Sequence, residues 1–179
     1  QVCRWMREAG LEVWRDGFGS PRGRLPGASP DAPTLMLGSH LDTVPAGGAY
    51  DGTLGVLLPI AVCAQLSAGQ LPFHLEVVGF LAEEGARFGA GCLSSRALVG
   101  TLEAAHFELT DAAGVAIAEA LAVHGADLGA LAPGRPMEGM PEAYLEVHIE
   151  QGPVLEARGL PVGVVSGIVG QTRGRFVIE

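Results

Sequence analysis

The sequence predicts an α/β fold, with a mostly parallel mixed sheet lying between helices. Three observations carry this expectation. Short apolar runs suited to strands alternate with longer apolar or amphipathic runs suited to helices. The polar residues best suited to chemistry sit where the short runs end, which is where open α/β sheets bind ligands. Hydrophobic residues make up 48% of the 179-residue chain and charged residues 17%, which suits a packed core and excludes disorder as the main state.

Taken in order, residues 2–9 read as the end of a helix closed by Gly10. Leu11, Glu12, Val13 and Trp14 alternate as a strand does. Residues 17–33 are rich in Gly, Pro and Ser and predict a hairpin or surface loop. Leu35 to His40 is a short apolar run suited to a buried strand. After a Gly-rich loop, residues 53–66 are continuously apolar and long enough for a buried helix. Residues 73–81 predict a strand ending at Glu83 and Glu84. Residues 111–124 predict a helix capped by Thr110 or Asp111 and ended by Gly125. Residues 143–149 predict a strand, and Pro153 sits early in a short helix. Residues 162–169 predict a further strand, and another begins at Thr172.

Composition removes several function classes. All 11 basic residues are Arg, and the absence of Lys excludes Schiff-base catalysis and the lysines of phosphate loops and kinases. A net charge of -9 argues against nucleic acid or an anionic membrane as partner. No run of 18 apolar residues predicts a membrane span. Cys3, Cys63 and Cys92 form no CxxC pair or disulfide framework, which favours a reducing, cytoplasmic setting. The chain opens on Gln1 and closes on what reads as an unfinished strand, so a piece of a longer protein is expected.

Four clusters could carry chemistry. His40 and Asp42 are two apart and share a face in extended chain. They read either as a carboxylate fixing the tautomer of a metal-bound imidazole or as an ordinary pair at a strand end. Asp51 reads as a helix cap or as a carboxylate able to bridge two cations. Glu83 and Glu84 repel each other at a strand end unless something positive compensates, or else they are simply solvated. His148 alternates with Leu145, Val147 and Ile149 and so faces away from them. With His40, Asp51 and Glu84 it makes a mixed nitrogen and oxygen set suited to zinc or a similar ion. His74, His106 and His124 read as structural or exposed.

In this order the clusters resemble the dinuclear-metal amidases. That family holds N-carbamoyl-L-amino-acid hydrolases, allantoate amidohydrolases and β-ureidopropionases, beside the aminoacylase and carboxypeptidase G type metallohydrolases. The matching stretches are GSHLDTVPAGGAYDGTLGV (38–56), FLAEEGARFG (80–89), YLEVHIEQGPVLE (144–156) and GVVSGIVGQ (163–171). The HIEQGP run points to the carbamoylase branch and away from the peptidases. The resemblance implies a zinc-peptidase-like catalytic domain over residues 1–170, then the first strand of an α+β lid and dimerisation domain at 171–179.

The resemblance also implies roles. His40 and His148 would bind one metal, with Asp51 bridging to a second that Glu84 holds. Glu83 would be the general base, Asp42 would orient His40, and Gln171 would contact substrate. The cofactors would be two divalent ions, zinc first, with manganese, cobalt or nickel as alternatives. The implied reaction is cleavage of the C–N bond of an N-carbamoyl-L-amino acid or related ureido compound by a metal-bound hydroxide. Allantoate amidohydrolysis is the first alternative, and a non-catalytic scaffold retaining the fold is the second. A small ureido substrate and homodimerisation through the lid are the implied partners. A further His and the lid's Asn and Arg residues would lie beyond Glu179, so residues 1–179 alone are expected to be inactive.

Overall fold

Two seven-residue strands, β3 (Thr34–His40) and β4 (His74–Phe80), form the centre of the sheet and end side by side at His40 and Phe80. The computed structural model describes residues 1–168 and Gly170. They fall into two units, residues 1–149 and the segment from 150 onward.

In the first unit, α1 (Val2–Glu8) leads into β1 (Glu12–Arg15) and β2 (Pro21–Leu25). The sheet is completed by β5 (Ala143–Leu145), in the order β1-β2-β4-β3-β5. The β3–β4 and β3–β5 pairs are parallel, while β2 runs antiparallel to β1 and β4. This is the mixed α/β sheet that strand and helix alternation predicts. The parallel β3–β4 pair requires a crossover, and α2 (Thr53–Cys63) provides it.

One sheet face carries Leu25, Leu35, Leu37, Leu75 and Val77, which meet Met6 of α1 and Val56, Ile60 and Cys63 of α2. The spacing of Val56, Ile60 and Cys63 puts all three on one stripe of the helix. Leu57, Leu58 and Val62 are 41%, 42% and 46% exposed, so α2 is half-buried rather than enclosed as its uninterrupted apolar run predicts. On the opposite face, Met36, Val78 and Phe80 pack on Leu98 of α3 (Leu93–Val99). A third cluster joins Phe18 and Phe88 to Leu93 and Ala97 of α3 and to Ile117 and Leu121 of α4 (Ile117–Ala122).

Of residues 17–33, expected to be a hairpin or surface loop, 21–25 form β2, which makes a hairpin with the preceding β1 and is interior rather than superficial. Glu76 of β4 is fully buried, and Arg22 and Arg24 of β2 both pair with it. Buried charge persists only when paired in this way. The Arg22 and Arg24 guanidinium groups also lie 5.4 and 5.8 Å from the Trp14 ring.

The helix expected over 111–124 begins only at Ile117. The Asp111 carboxylate accepts from the backbone N–H groups of Ala113 and Val115 and closes a turn, with Gly114 at φ 80°. A short acidic side chain competes with helix formation in just this way. The strand expected over 143–149 is paired only to Leu145. Helix α3 and the 3-10 turns Ala104–Glu108 and Leu128–Ala130 carry no sequence signal strong enough to announce them.

In the second unit, α5 (Val154–Arg158) is short, as expected. Glu150 caps it by accepting from the N–H groups of Val154 and Leu155 at 3.0 and 2.9 Å. The strand expected over 162–169 is not formed within 162–168, where Val164 is 98% exposed. Apolar alternation makes no strand without a neighbour to receive its backbone hydrogen bonds. Gln171, the strand from Thr172 and the lid segment 171–179 lie outside the described residues. Among the described residues, no helix is long and apolar enough to cross a membrane.

Candidate metal centre

The centre lies where β3 ends. His40, its last residue, is 4% exposed, and its Nδ1 lies 2.6 Å from the backbone carbonyl of Asp42. A carbonyl can only accept, so Nδ1 carries a proton, and in the neutral ring Nε2 keeps its lone pair. His148 repeats the arrangement, its Nδ1 donating to the carbonyl of Ile149 at 2.8 Å. The two Nε2 atoms face each other at 3.3 Å. Asp51 is buried, and its Oδ1 lies 3.2 Å from His148 Nε2 and 3.8 Å from His40 Nε2.

Two imidazole lone pairs and a carboxylate oxygen thus converge on one point. Such a set repels itself unless a cation, a metal ion or a proton, lies among them. Two neutral imidazoles and a carboxylate are also the donors that zinc and neighbouring divalent ions take. The donor chemistry therefore fits a metal, on side chains that β3, the turn before α2 and the segment after β5 each supply.

Asp51 is not the cap of α2. The N-cap residue is Gly52, with φ 68° and ψ -49°. A Cβ at Gly52 would overlap the His40 ring. Glycine at 52 thus brings the Asp51 backbone close to the imidazole.

Glu83 and Glu84 form a second group with His40, their ligand atoms all within 4.8 Å of one another. Asp42 builds this group. Its Oδ1 accepts from the backbone N–H of Glu83 at 3.0 Å, and its Oδ2 from that of Glu84 at 3.1 Å. Asp42 therefore meets His40 through its main chain, and its carboxylate anchors the Glu83–Glu84 turn rather than the imidazole. The His-x-Asp spacing could not separate these two contacts. Ala82, at φ 54°, sharpens the turn. Burial pushes the Glu84 carboxyl above its usual range; Glu83, Asp51 and Asp42 add to this, and His40 opposes it. Extra negative charge here is costly.

Further residues at the centre carried no sequence signal. Ser39, 1% exposed, donates a short hydrogen bond to Glu146, which also accepts from the Tyr144 hydroxyl at 2.9 Å. The Cys92 thiol lies 3.6 Å from Glu83 Oε1. The histidines read as structural or exposed lie outside the centre. Buried His74 accepts from Gly27 N–H, and His106 accepts from Glu103 N–H.

The model of peptidase family M20/M25/M40 matches residues 36–176. An N-carbamoyl-L-amino acid amidohydrolase of Geobacillus stearothermophilus is 46% identical over 99% of this chain and 44% of its own length. An allantoate deiminase of Arabidopsis thaliana is 39% identical over 98% of this chain and 34% of its own. A hydantoinase/carbamoylase family amidase from Burkholderia ambifaria superposes with a TM-score of 0.76 at 36% identity, over 88% of this chain and 38% of that one. The chain spans less than half the length of each of these relatives.

Proposed function

The chain belongs to peptidase family M20/M25/M40, and from that premise we propose that it supplies the front of a metal-dependent amidohydrolase. The substrate is an N-carbamoyl-L-amino acid or a related ureido compound, and the bond cleaved is C–N. One observation carries the reading most: the Nε2 atoms of His40 and His148 and the Asp51 carboxylate aim at one point.

In this reading His40, His148 and Asp51 hold one divalent ion, and Asp51 and Glu84 reach a second. Such ions supply Lewis acidity and acidify water enough to give a nucleophile at neutral pH. Glu83 takes the proton of the attacking water and returns it to the leaving nitrogen. Asp42 supports that step by holding the Glu83 backbone in place, and Cys92 shares the Glu83 carboxylate. The scissile C–N bond breaks as the water oxygen bonds to the carbamoyl carbon. An N-carbamoyl amino acid then yields the amino acid, carbon dioxide and ammonia. Gln171 would touch the substrate, and the segment that begins there would serve as lid and dimer contact.

The test uses the full-length protein supplied with zinc, manganese or cobalt. Turnover of N-carbamoyl-L-amino acids supports the reading, whereas preference for allantoate moves the assignment to the allantoate branch that the Arabidopsis relative represents. No bound transition metal, together with no gain of activity on adding one, would leave only a scaffold. General-base help contributes roughly 10²–10⁴-fold, so a Glu83→Gln variant within about tenfold of the parent would refute the base assignment.

A further inference from the structure

We infer that Glu146 is a positioning residue that holds the chain carrying His148 against β3 and so sets that imidazole at the metal centre. The inference rests on the metal-centre reading proposed above. The paired register of β5 with β3 stops at Leu145, three residues short of His148. Ladder hydrogen bonds therefore end before the ligand, although His40 and His148 keep the ladder's register.

Glu146 supplies the hold. It accepts from the hydroxyl of buried Ser39 through Oε1 and from the Tyr144 hydroxyl through Oε2 at 2.9 Å. The same Tyr144 oxygen lies 3.0 Å from the Gly38 carbonyl, so its one proton is shared between two acceptors on adjoining strands. The hold is close to the ligands in sequence. Ser39 directly precedes His40, and Glu146 lies two residues before His148. The 39–146 contact thus ties the two segments together next to the 40–148 contact, where the two Nε2 atoms stand 3.3 Å apart. From the other side, the Val147 carbonyl packs so closely on Gly55 of α2 that a Cβ there would overlap it. Residues 146 and 147 are clamped on both sides, and His148 follows them.

The experiment uses the full chain, with Glu146→Ala, Glu146→Gln and Ser39→Ala variants and two readouts that need no turnover. The first is the nuclear Overhauser contact between the His40 and His148 rings in metal-free protein, where the ring centroids are 5.5 Å apart. The second is zinc affinity measured by competition with a chromophoric chelator. Outer partners of metal-bound histidines typically govern about 10–100-fold in affinity, so Glu146→Ala should lose that much and lose the ring contact. Glu146→Gln keeps an oxygen for Ser39 and should stay within about threefold. In a His148→Ala background, Glu146→Ala should cost nothing further, because it acts through His148.

Retention of the ring contact by Glu146→Ala would overturn the inference, as would an equal loss of affinity in the His148→Ala background. If Glu146→Ala does not fold, Ser39→Ala decides by the same ring contact, whose persistence unchanged would also overturn it. Loss of the contact in a protein that hydrolyses no ureido compound supports the positioning role and sinks the substrate reading separately.

Discussion

Asp42→Asn separates two roles that one carboxylate could play. Each Asp42 oxygen accepts one backbone N–H, from Glu83 at 3.0 Å and Glu84 at 3.1 Å. Asparagine keeps the shape but only one acceptor, and turns an NH₂ group towards an N–H. One hydrogen bond to a charged group is therefore lost, worth about 1.5–3 kcal/mol. If local opening exposes these amides, hydrogen exchange at Glu83 and Glu84 should quicken by roughly 10- to 150-fold. Amides of Leu75 and Val77, inside the β4 ladder, serve as controls and should not change. The contact to His40 comes from the Asp42 main-chain carbonyl, which the substitution leaves in place. The His40 tautomer, read from nitrogen chemical shifts in metal-free protein, should therefore stay the same. Unchanged exchange at Glu83 and Glu84 with a switched tautomer would show that the carboxylate acts on the imidazole and that the anchoring argument is wrong.

Gly52→Ala should be severe for its size. The backbone there has φ 68° and ψ -49°, costing a side-chain-bearing residue about 1–3 kcal/mol, and the added carbon meets the His40 ring. Urea unfolding and zinc competition should both worsen, and a parent-like result in both would count against the close approach. Glu76→Ala leaves Arg22 and Arg24 without their shared partner, and breaking such a buried pair costs about 3–5 kcal/mol. A urea midpoint equal to the parent's would show that the pairs contribute nothing. The Val115 N–H is the largest influence holding the Asp111 carboxyl below its usual range, with Arg87 and the Ala113 N–H adding to it and desolvation opposing. A depressed folded pKa adds stability that is present above the unfolded value, about 3.9, and is lost as pH falls through the folded one. Asp111→Asn should therefore lose less of its own stability on acidification below about pH 4, and superimposable Tm-versus-pH curves would refute this.

The elements most legible in the sequence are those whose pattern is local. The apolar run before His40, the one before Leu81 and the long run after Gly52 correspond to β3, β4 and α2 within a residue or a few. Those runs are long enough for burial alone to choose the element. Where a polar side chain could serve two ends, pattern failed. Asp111 closes a turn instead of starting a helix, and Asp51 turns to two imidazoles instead of capping one. The valines at 162, 164 and 165 alternate well enough for a strand, yet no ladder forms there, because a strand is a property of two chains.

What the sequence determined by itself is which residue types stand where β3 and β4 stop, since a buried apolar run must end in polar groups that can meet solvent or ligand. It named His40, Asp42, Glu83 and Glu84 there, with Asp51, His148 and Gln171 as further candidates. Only the tertiary structure decided which nitrogen of each imidazole faces the centre, which part of Asp42 touches His40, and that Glu146 bonds Ser39 and Tyr144 nearby. The physical reason is separation along the chain. Ser39 and Glu146 are 107 residues apart, and His40 and His148 are 108 apart. Sheet register brings such pairs together, and no local period encodes a register between distant strands.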